Sequence, residues 1–215
     1  MKVLLINGSP RMKGNTNRAL EEVARTLNEE GVETEIAWIT NKPIRGCIAC
    51  GICSRTGDNR CVFDEDCCNE LIQKAAEADG IIVGTPVYYA GASGEIRSLM
   101  DRMFYAGGSL LRFKPAAGIA VARRAGTIEA VDQINKYFQI NCMPVVSSTY
   151  WGLSYGREPG ETARDGEGMH TMRTLGRNMA WLLKSLEAAR TAGINPPEIE
   201  PKAWTHVVRE DLAEG

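Results

Sequence analysis

Three short unbroken apolar runs, VLLIN (3–7), GIIVGTP (80–86) and AAGIAVA (116–122), do most to limit the folds open to this chain. A strand with one solvent face alternates apolar and polar residues, whereas a strand covered on both faces reads as a continuous apolar stretch, the habit of parallel sheets. Each run gives way to a turn-rich loop and then to a segment with helical spacing. After VLLIN, the residues Leu20, Val23, Ala24 and Leu27 recur at i, i+3, i+4 and i+7, which predicts a helix over about 15–30 with Gly31 as its stop. VETEIAWI (32–39) alternates as a strand nearer the sheet edge. Asp64 or Asp66 caps a helix running to about 79, helices over about 94–104 and 127–139 flank AAGIAVA, MPVVSST (143–149) reads as a fifth strand, and a helix over about 167–189 closes the series. Such alternation predicts an α/β fold, a doubly wound five-stranded parallel sheet in the order 2-1-3-4-5 with helices on both faces. The domain spans 1–190 with a cysteine-rich insertion at 46–66. A tail, 191–215, carries three prolines and suits a surface wrap or contact with a neighbouring subunit.

With 215 residues, 44% hydrophobic content, 24% charged content and a net charge of -2, the composition is that of a globular protein with no bias toward nucleic acid. The apolar stretch at the N-terminus is too short for a secretory signal, and no run approaches a membrane span. A cytoplasmic location follows as an expectation, and there clustered thiols point to metal or redox chemistry before disulfides.

Ligands of doubly wound sheets bind beyond the carboxyl ends of the strands, where the strand order reverses. The first strand opens there into SPRMKGNTN (9–17), which offers hydroxyls at Ser9 and Thr16, an amide at Asn15, a cation at Arg11 and the N-terminal N–H groups of a helix. One phosphate would satisfy this set; a polar turn with a helix cap is the plainer alternative. Neither G-x-G-x-x-G nor a P-loop is present, which favours a mononucleotide over a dinucleotide or a triphosphate.

"LLINGSPRMKGNTNRAL" together with "ADGIIVGTPVYYAGASGEIRSLMDRMFY" resembles the NADPH-dependent FMN reductase and iron-sulfur flavoprotein group of the flavodoxin-like superfamily, over residues 1–125 by motif. The resemblance implies that Ser9, Arg11, Gly14, Asn15, Thr16 and Asn17 hold an FMN phosphate and that Pro86, Val87, Tyr88 and Tyr89 lie beside the isoalloxazine. The second motif suits that ligand on its own terms. Aromatic faces stack on a flavin, and Gly91 and Gly94 let backbone approach a flat ring, although a Tyr-Tyr turn packing locally would look the same. Arg123, Arg124 and Gly126 leave the next strand, where an arginine can face the flavin N1–C2=O region or the phosphates of a nicotinamide cofactor. SSTYWGLSYG (147–156) adds hydroxyls and aromatics expected at the same rim.

Cys47, Cys50, Cys53 and Cys61 form C-x2-C-x2-C-x7-C within one short segment. Structural zinc sites usually take two separated C-x2-C pairs, while an overlapping run better suits a cubane with each thiolate on its own iron. Reduced redox or packing cysteines and zinc stay open beside a cluster, and Cys67 and Cys68 add thiols whose pKa a helix N-terminus can lower. Cys142 reads as core. The resemblance implies [4Fe-4S] ligation by Cys47, Cys50, Cys53 and Cys61. It further implies an oxidoreductase that passes electrons from NADH, NADPH or a reduced carrier through FMN to a quinone, a nitro or azo compound, a flavin, an iron-sulfur protein or the bound cluster, with a ferredoxin as a partner in place of a nicotinamide if the cluster is present, and a homodimer or homotetramer. The alternative is an electron-transfer protein or flavin-binding redox sensor without its own substrate. His170 and His206 both lie outside these loops, so a His-centred hydrolase has no support.

Overall fold

A computed structural model describes residues 1–201 and 203. In chain order the elements are β1 (Lys2–Asn7), α1 (Asn15–Glu29), β2 (Glu33–Trp38), α2 (Ile52–Thr56), α3 (Cys68–Glu77), β3 (Gly80–Tyr88), β4 (Gly91–Ala92), α4 (Gly94–Gly107), β5 (Ala116–Ala122), α5 (Thr127–Ile140), β6 (Leu153–Tyr155) and α6 (Gly166–Thr191). The strand order is β2-β1-β3-β5-β6, all parallel, with the two-residue β4 folding back antiparallel on β3. Setting β4 aside, this is the 2-1-3-4-5 order that the sequence predicts.

The continuous apolar runs reflect burial on both faces. Val3 and Leu5 of β1 join Leu20, Val23, Leu27, Leu175, Met179 and Leu183 of α1 and α6 in one core layer. Leu4 and Ile6 join Ile72, Leu99, Met103, Ile134 and Phe138 of α3, α4 and α5 in the other. On α6 the apolar stripe is thus mostly core, with Leu186 at its exposed end. Neither Asp64 nor Asp66 caps α3: the N-cap position is Cys67, without a side-chain cap, and Asp66, one residue earlier, accepts a hydrogen bond through Oδ1 from the Cys68 N–H at 3.0 Å.

Two expectations are corrected. Residues 143–149 do not form the last strand; they touch β5 through a bridge between Val145 and Ala116, and the strand proper is Leu153–Tyr155. The reason is capture by α6, since Asn178 Nδ2 donates to the Ser147 carbonyl at 2.8 Å and Ser148 Oγ donates to the Thr171 carbonyl at 2.8 Å, which pulls the chain off the ladder. The β5 donor opposite the gap, Gly118 N–H, is satisfied instead by Asn135 Oδ1 at 3.0 Å. The chain rejoins at Gly152, where a side chain would meet the Gly118 carbonyl oxygen at 2.5 Å. Cys142, in turn, is exposed rather than core, in a left-handed turn with φ 57. The tail from residue 204 lies outside the described residues. Among the described residues no helix is long and apolar enough to cross a membrane.

Close approach of α1 to the sheet depends on Gly84, where an added Cβ would stand 2.9 Å from Leu20 Cδ1. We expect Gly84→Ala to destabilise the fold by about 1–3 kcal/mol through overpacking, read as a lower urea midpoint at unchanged m-value.

Candidate functional site

The strand order reverses between β1 and β3, and the loops leaving their carboxyl ends are tied together there. Gly8 N–H donates to the Gly84 carbonyl at 2.9 Å, and the Gly8 carbonyl accepts from Ser93 Oγ at 3.0 Å, so the first loop is bonded both to β3 and to the N-cap of α4. Asn7, fully buried at the end of β1, shapes the loop from below. Its Oδ1 accepts from Ser9 N–H at 3.0 Å, and its Nδ2 donates to the Met12 carbonyl and to Asn17 Oδ1, both at 3.1 Å. From β2 and its exit, Trp38 Nε1 and Thr40 Oγ1 both donate to the Ser9 carbonyl, at 2.7 and 2.8 Å.

The phosphate-loop residues divide into two groups. Asn15 is held by the 158–162 segment, donating through Nδ2 to the Glu158 carbonyl at 2.9 Å and accepting from Thr162 N–H at 3.3 Å. Asn17 is likewise engaged by Asn7 and by Glu21, at 2.6 Å to its Oε1. Both amides therefore build the loop. The remaining members of the set are Ser9 and Thr16, both buried, with Ser9 Oγ accepting from Arg11 N–H at 3.1 Å, the exposed Arg11, which makes no ion pair among the described residues, and the first turn of α1. That turn has no side-chain cap and no acidic residue, so its N–H groups and positive dipole end are uncompensated. Gly14 closes the cradle, because a Cβ there would lie 3.0 Å from Arg11 Cβ and 3.1 Å from its carbonyl oxygen. The arrangement fits a phosphate.

On the neighbouring strand, Val87 and Tyr88 pair with Ala92 and Gly91 to make a two-residue hairpin whose tip, Tyr89 and Ala90, has φ 47 and 57. Two consecutive left-handed residues are the geometry of a type I′ turn, here formed without glycine and so at a cost in strain. Tyr88 is half exposed and Tyr89 projects fully into solvent, while Pro86 and Val87 are half-buried beneath them. Gly126, at φ 87, packs against this hairpin so tightly that a Cβ would stand 2.6 Å from Ala90 Cα. The exposed Arg123 and Arg124 precede this contact by three and two residues. Gly91 is held from the other side by Gln133, whose Oε1 accepts from Ala92 N–H at 3.0 Å. Of the 147–156 segment, Tyr155 reaches this rim, its hydroxyl 3.4 Å from Thr127 Oγ1. Tyr150 and Trp151 stand edge to face at 4.7 Å, before β6 begins, and line the gap in the sheet instead.

The cysteine segment wraps the opposite flank of α4. Cys47, Cys50, Cys53 and Cys61 line one cavity of about 140 Å³, together with Phe63, Arg102 and Tyr105. Ala49, Gly51, Gly57 and Asn59 all adopt positive φ, coiling the chain around this space. Buried Asn69 clamps the fourth cysteine, accepting from Cys61 N–H at 2.8 Å and donating to its carbonyl at 2.9 Å. Arg102, 1% exposed in the midst of apolar α4 residues, pairs with Asp66 and donates to the Phe63 carbonyl at 2.8 Å, the Arg45 carbonyl at 3.1 Å and Cys61 Sγ at 3.2 Å. Burial alone would raise the Asp66 carboxyl, yet Arg102 and the N–H groups of Cys68 and Arg45 hold it below the usual carboxylate range. Among the described residues no three His, Cys, Asp or Glu side chains stand together as a single ion would require.

Cys67 and Cys68 correct an expectation. Burial, with Asp66 adding negative charge, pushes Cys67 up to about 11, and burial pushes Cys68 up to about 12, the reverse of the lowering that a helix N-terminus suggests. Cys68 is a buried core thiol, Cys67 is partly buried against the same core, and neither lines the cavity of the other four. Asn7, Ser93, Asp66 and Arg102 escape a sequence reading focused on the loops; the signal available for Arg102 was a cation on the apolar face of "EIRSLMDRMFY".

Comparison with known proteins adds three findings. A family model described as NADPH-dependent FMN reductase matches residues 1–158. An iron-sulfur flavoprotein of Methanocaldococcus jannaschii is 37% identical over 195 residues, covering 87% of this chain and 100% of the relative, and an NADPH FMN reductase of Pseudomonas putida is 31% identical over 47% of this chain and 46% of the relative. Among solved structures, an NAD(P)H:quinone oxidoreductase from Methanothermobacter marburgensis superposes with a TM-score of 0.64 at 17% identity, covering 83% of this chain and 98% of the other, a likeness of fold.

The thiol environments give a direct check. In iron-free protein treated with iodoacetamide at neutral pH and followed by mass spectrometry, we expect the exposed Cys47 and Cys142 to be alkylated before the partly buried Cys50, Cys53 and Cys61. Cys67 and Cys68 should stay unmodified until the fold is lost, because their thiolate populations are small and their sulfurs covered.

Proposed function

Since this chain belongs to the NADPH-dependent FMN reductase family, we propose that it is an FMN-dependent oxidoreductase that couples a reduced nicotinamide to single-electron exchange through a [4Fe-4S] cluster held by Cys47, Cys50, Cys53 and Cys61. The observation that carries this reading is the common cavity of the four cysteines, built on the same helix whose N-cap is bonded to the phosphate loop. From Ser93 to Arg102 is nine residues of α4, about 14 Å along the helix axis. The chemistry supplied by the bound groups is hydride acceptance at the flavin and one-electron exchange at the cluster.

The donor set fits a cluster better than a single ion. Four thiolates on one zinc stand about 4 Å apart, from Zn–S lengths of about 2.3 Å, and no such close group is present among the described residues. A cubane spreads its thiolates over four irons and needs a cavity between them, which the segment provides. The iron-sulfur flavoprotein of M. jannaschii, similar over nearly the whole chain, supports the same assignment.

The chain's own residues bind and orient. Ser9, Thr16, Arg11 and the α1 N-terminus take the FMN phosphate, with Gly14 leaving room for it and Asn15 and Asn17 keeping the loop in shape. Pro86, Val87, Tyr88 and Tyr89 flank the ring system, and buried Gly91 keeps that hairpin close to α5. Arg123 and Arg124 offer positive charge to the flavin pyrimidine edge or to the nicotinamide phosphates, in the position that Gly126 fixes. No side-chain acid, base or nucleophile is required. The acceptor beyond the cluster is a quinone, a free flavin, a nitro or azo compound, or a small iron-sulfur protein such as a ferredoxin.

Anaerobic purification with flavin, iron and sulfide quantitation tests the assignment, and about four irons beside one FMN per chain are expected. Cys50→Ser should lose the iron and keep the FMN; a wild-type protein with FMN and no iron removes the cluster. NADPH or NADH should bleach the flavin without oxygen, whereas a flavin that stays oxidised with both overturns the reductase reading in favour of an electron carrier. Arg11→Gln should weaken FMN binding roughly tenfold or more, from one lost charge-assisted hydrogen bond of about 1.5–3 kcal/mol, measured by fluorescence titration of the apoprotein.

A further inference from the structure

Arg102 is a buried cation on an otherwise apolar face of α4. Its neighbours along α4, Leu99, Met100, Met103 and Ala106, are all buried apolar residues, and taking a guanidinium out of water costs several kcal/mol before its partners offset it. The partners explain its position. Nη1 reaches the Asp66 carboxylate and the Arg45 carbonyl, Nη2 the Phe63 carbonyl, and Nε the Cys61 sulfur at 3.2 Å. Three of these bonds fasten the entry and exit of the cysteine segment and the start of α3. The fourth is aimed at one of the four sulfurs that line the cavity.

We infer that Arg102 is a positioning residue that sets the reduction potential of the cluster by donating an N–H···S hydrogen bond to Cys61, with Asp66 as the counter-charge that moderates it. The inference rests on the cluster reading above. When the cluster takes up one electron, negative charge accumulates on the irons and their sulfurs, and a donor pointing at a ligand sulfur stabilises the reduced form. Because Asp66 neutralises the guanidinium, much of what the sulfur experiences is the directed N–H dipole. That is a property of the planar fork, which lysine lacks: an ammonium retains the charge but cannot reach Asp66, two carbonyls and the sulfur together. Removing the carboxylate charge at Asp66 has the opposite sign, since it leaves the cation uncompensated beside the sulfur.

The test uses full-length, anaerobically purified protein as wild type, Arg102→Lys, Arg102→Met and Asp66→Asn, with iron and sulfide content measured first and the cluster then titrated with dithionite under mediators, followed by EPR. A wild type without iron removes the cluster reading itself and is thereby distinguished from failure of this inference. With the cluster present, both Arg102 variants should be harder to reduce by at least tenfold in the one-electron equilibrium, about 59 mV. Asp66→Asn should be easier to reduce. Arg102 variants with full iron and an unchanged potential overturn the inference, as does a shift of the same sign in Asp66→Asn and the Arg102 variants. Where the Arg102 variants assemble no cluster, Asp66→Asn decides alone: a raised potential supports the inference and an unchanged or lowered one overturns it.

Discussion

Gly8 carries both of its backbone groups into other segments, and the arrangement of the site depends on those two hydrogen bonds. Its N–H extends the ladder between β1 and β3 by one step, to Gly84, and its carbonyl receives the Ser93 hydroxyl that caps α4. A side chain there would press on Ile96 Cβ at 3.0 Å and on the Gly84 carbonyl at 3.1 Å. The phosphate loop, the hairpin strand and α4 therefore meet at a residue with no room of its own. The strand order reverses at this point, the place where doubly wound sheets bind their ligands.

From that junction α4 acts as a beam between the first loop and the cysteine segment. One end of it holds the first loop through Ser93, and its middle holds the cysteine segment through Arg102. The cysteine wrap has little core of its own: α2 buries no residue, and the thiols of Cys53 and Cys61 are half-buried against the α3–α4 layer. Its shape comes instead from left-handed backbone turns and from polar clamps at Asn69, Asp66 and Arg102. A segment fixed by polar contacts rather than apolar packing answers readily to changes in charge nearby.

Periodicity made most of the fold legible, because strands buried on both faces and helices with one apolar stripe leave plain marks in the sequence. β5 was readable to the residue as 116–122. The last strand was not, because MPVVSST has a strand's composition, and what displaces it is a pair of side-chain bonds from α6, a segment distant in sequence. The site shows the same division. Ser9, Arg11, Thr16 and the four cysteines announce themselves by residue type and spacing, whereas Asn15 and Asn17 look like ligand-facing amides until their partners at Glu158, Thr162, Asn7 and Glu21 are seen. Cys67 and Cys68 mislead for a similar reason: position at a helix start suggests an acidic thiol, and burial outweighs it.

The break in the outermost strand bears on how copies of this chain can meet. An uninterrupted final strand would offer a long row of free backbone donors and acceptors, an invitation to edge-to-edge strand addition and aggregation. Here the chain leaves the ladder after Val146 and returns at Gly152, the intervening β5 N–H is sealed by the side chain of Asn135, and only the three residues of β6 remain as strand. The opposite edge, β2, carries Glu33, Thr34 and Glu35 in succession, with Lys2 and Lys74 paired across Glu35. Among the described residues neither margin of the sheet is a good template for another strand, and the sheet keeps its five parallel strands to itself.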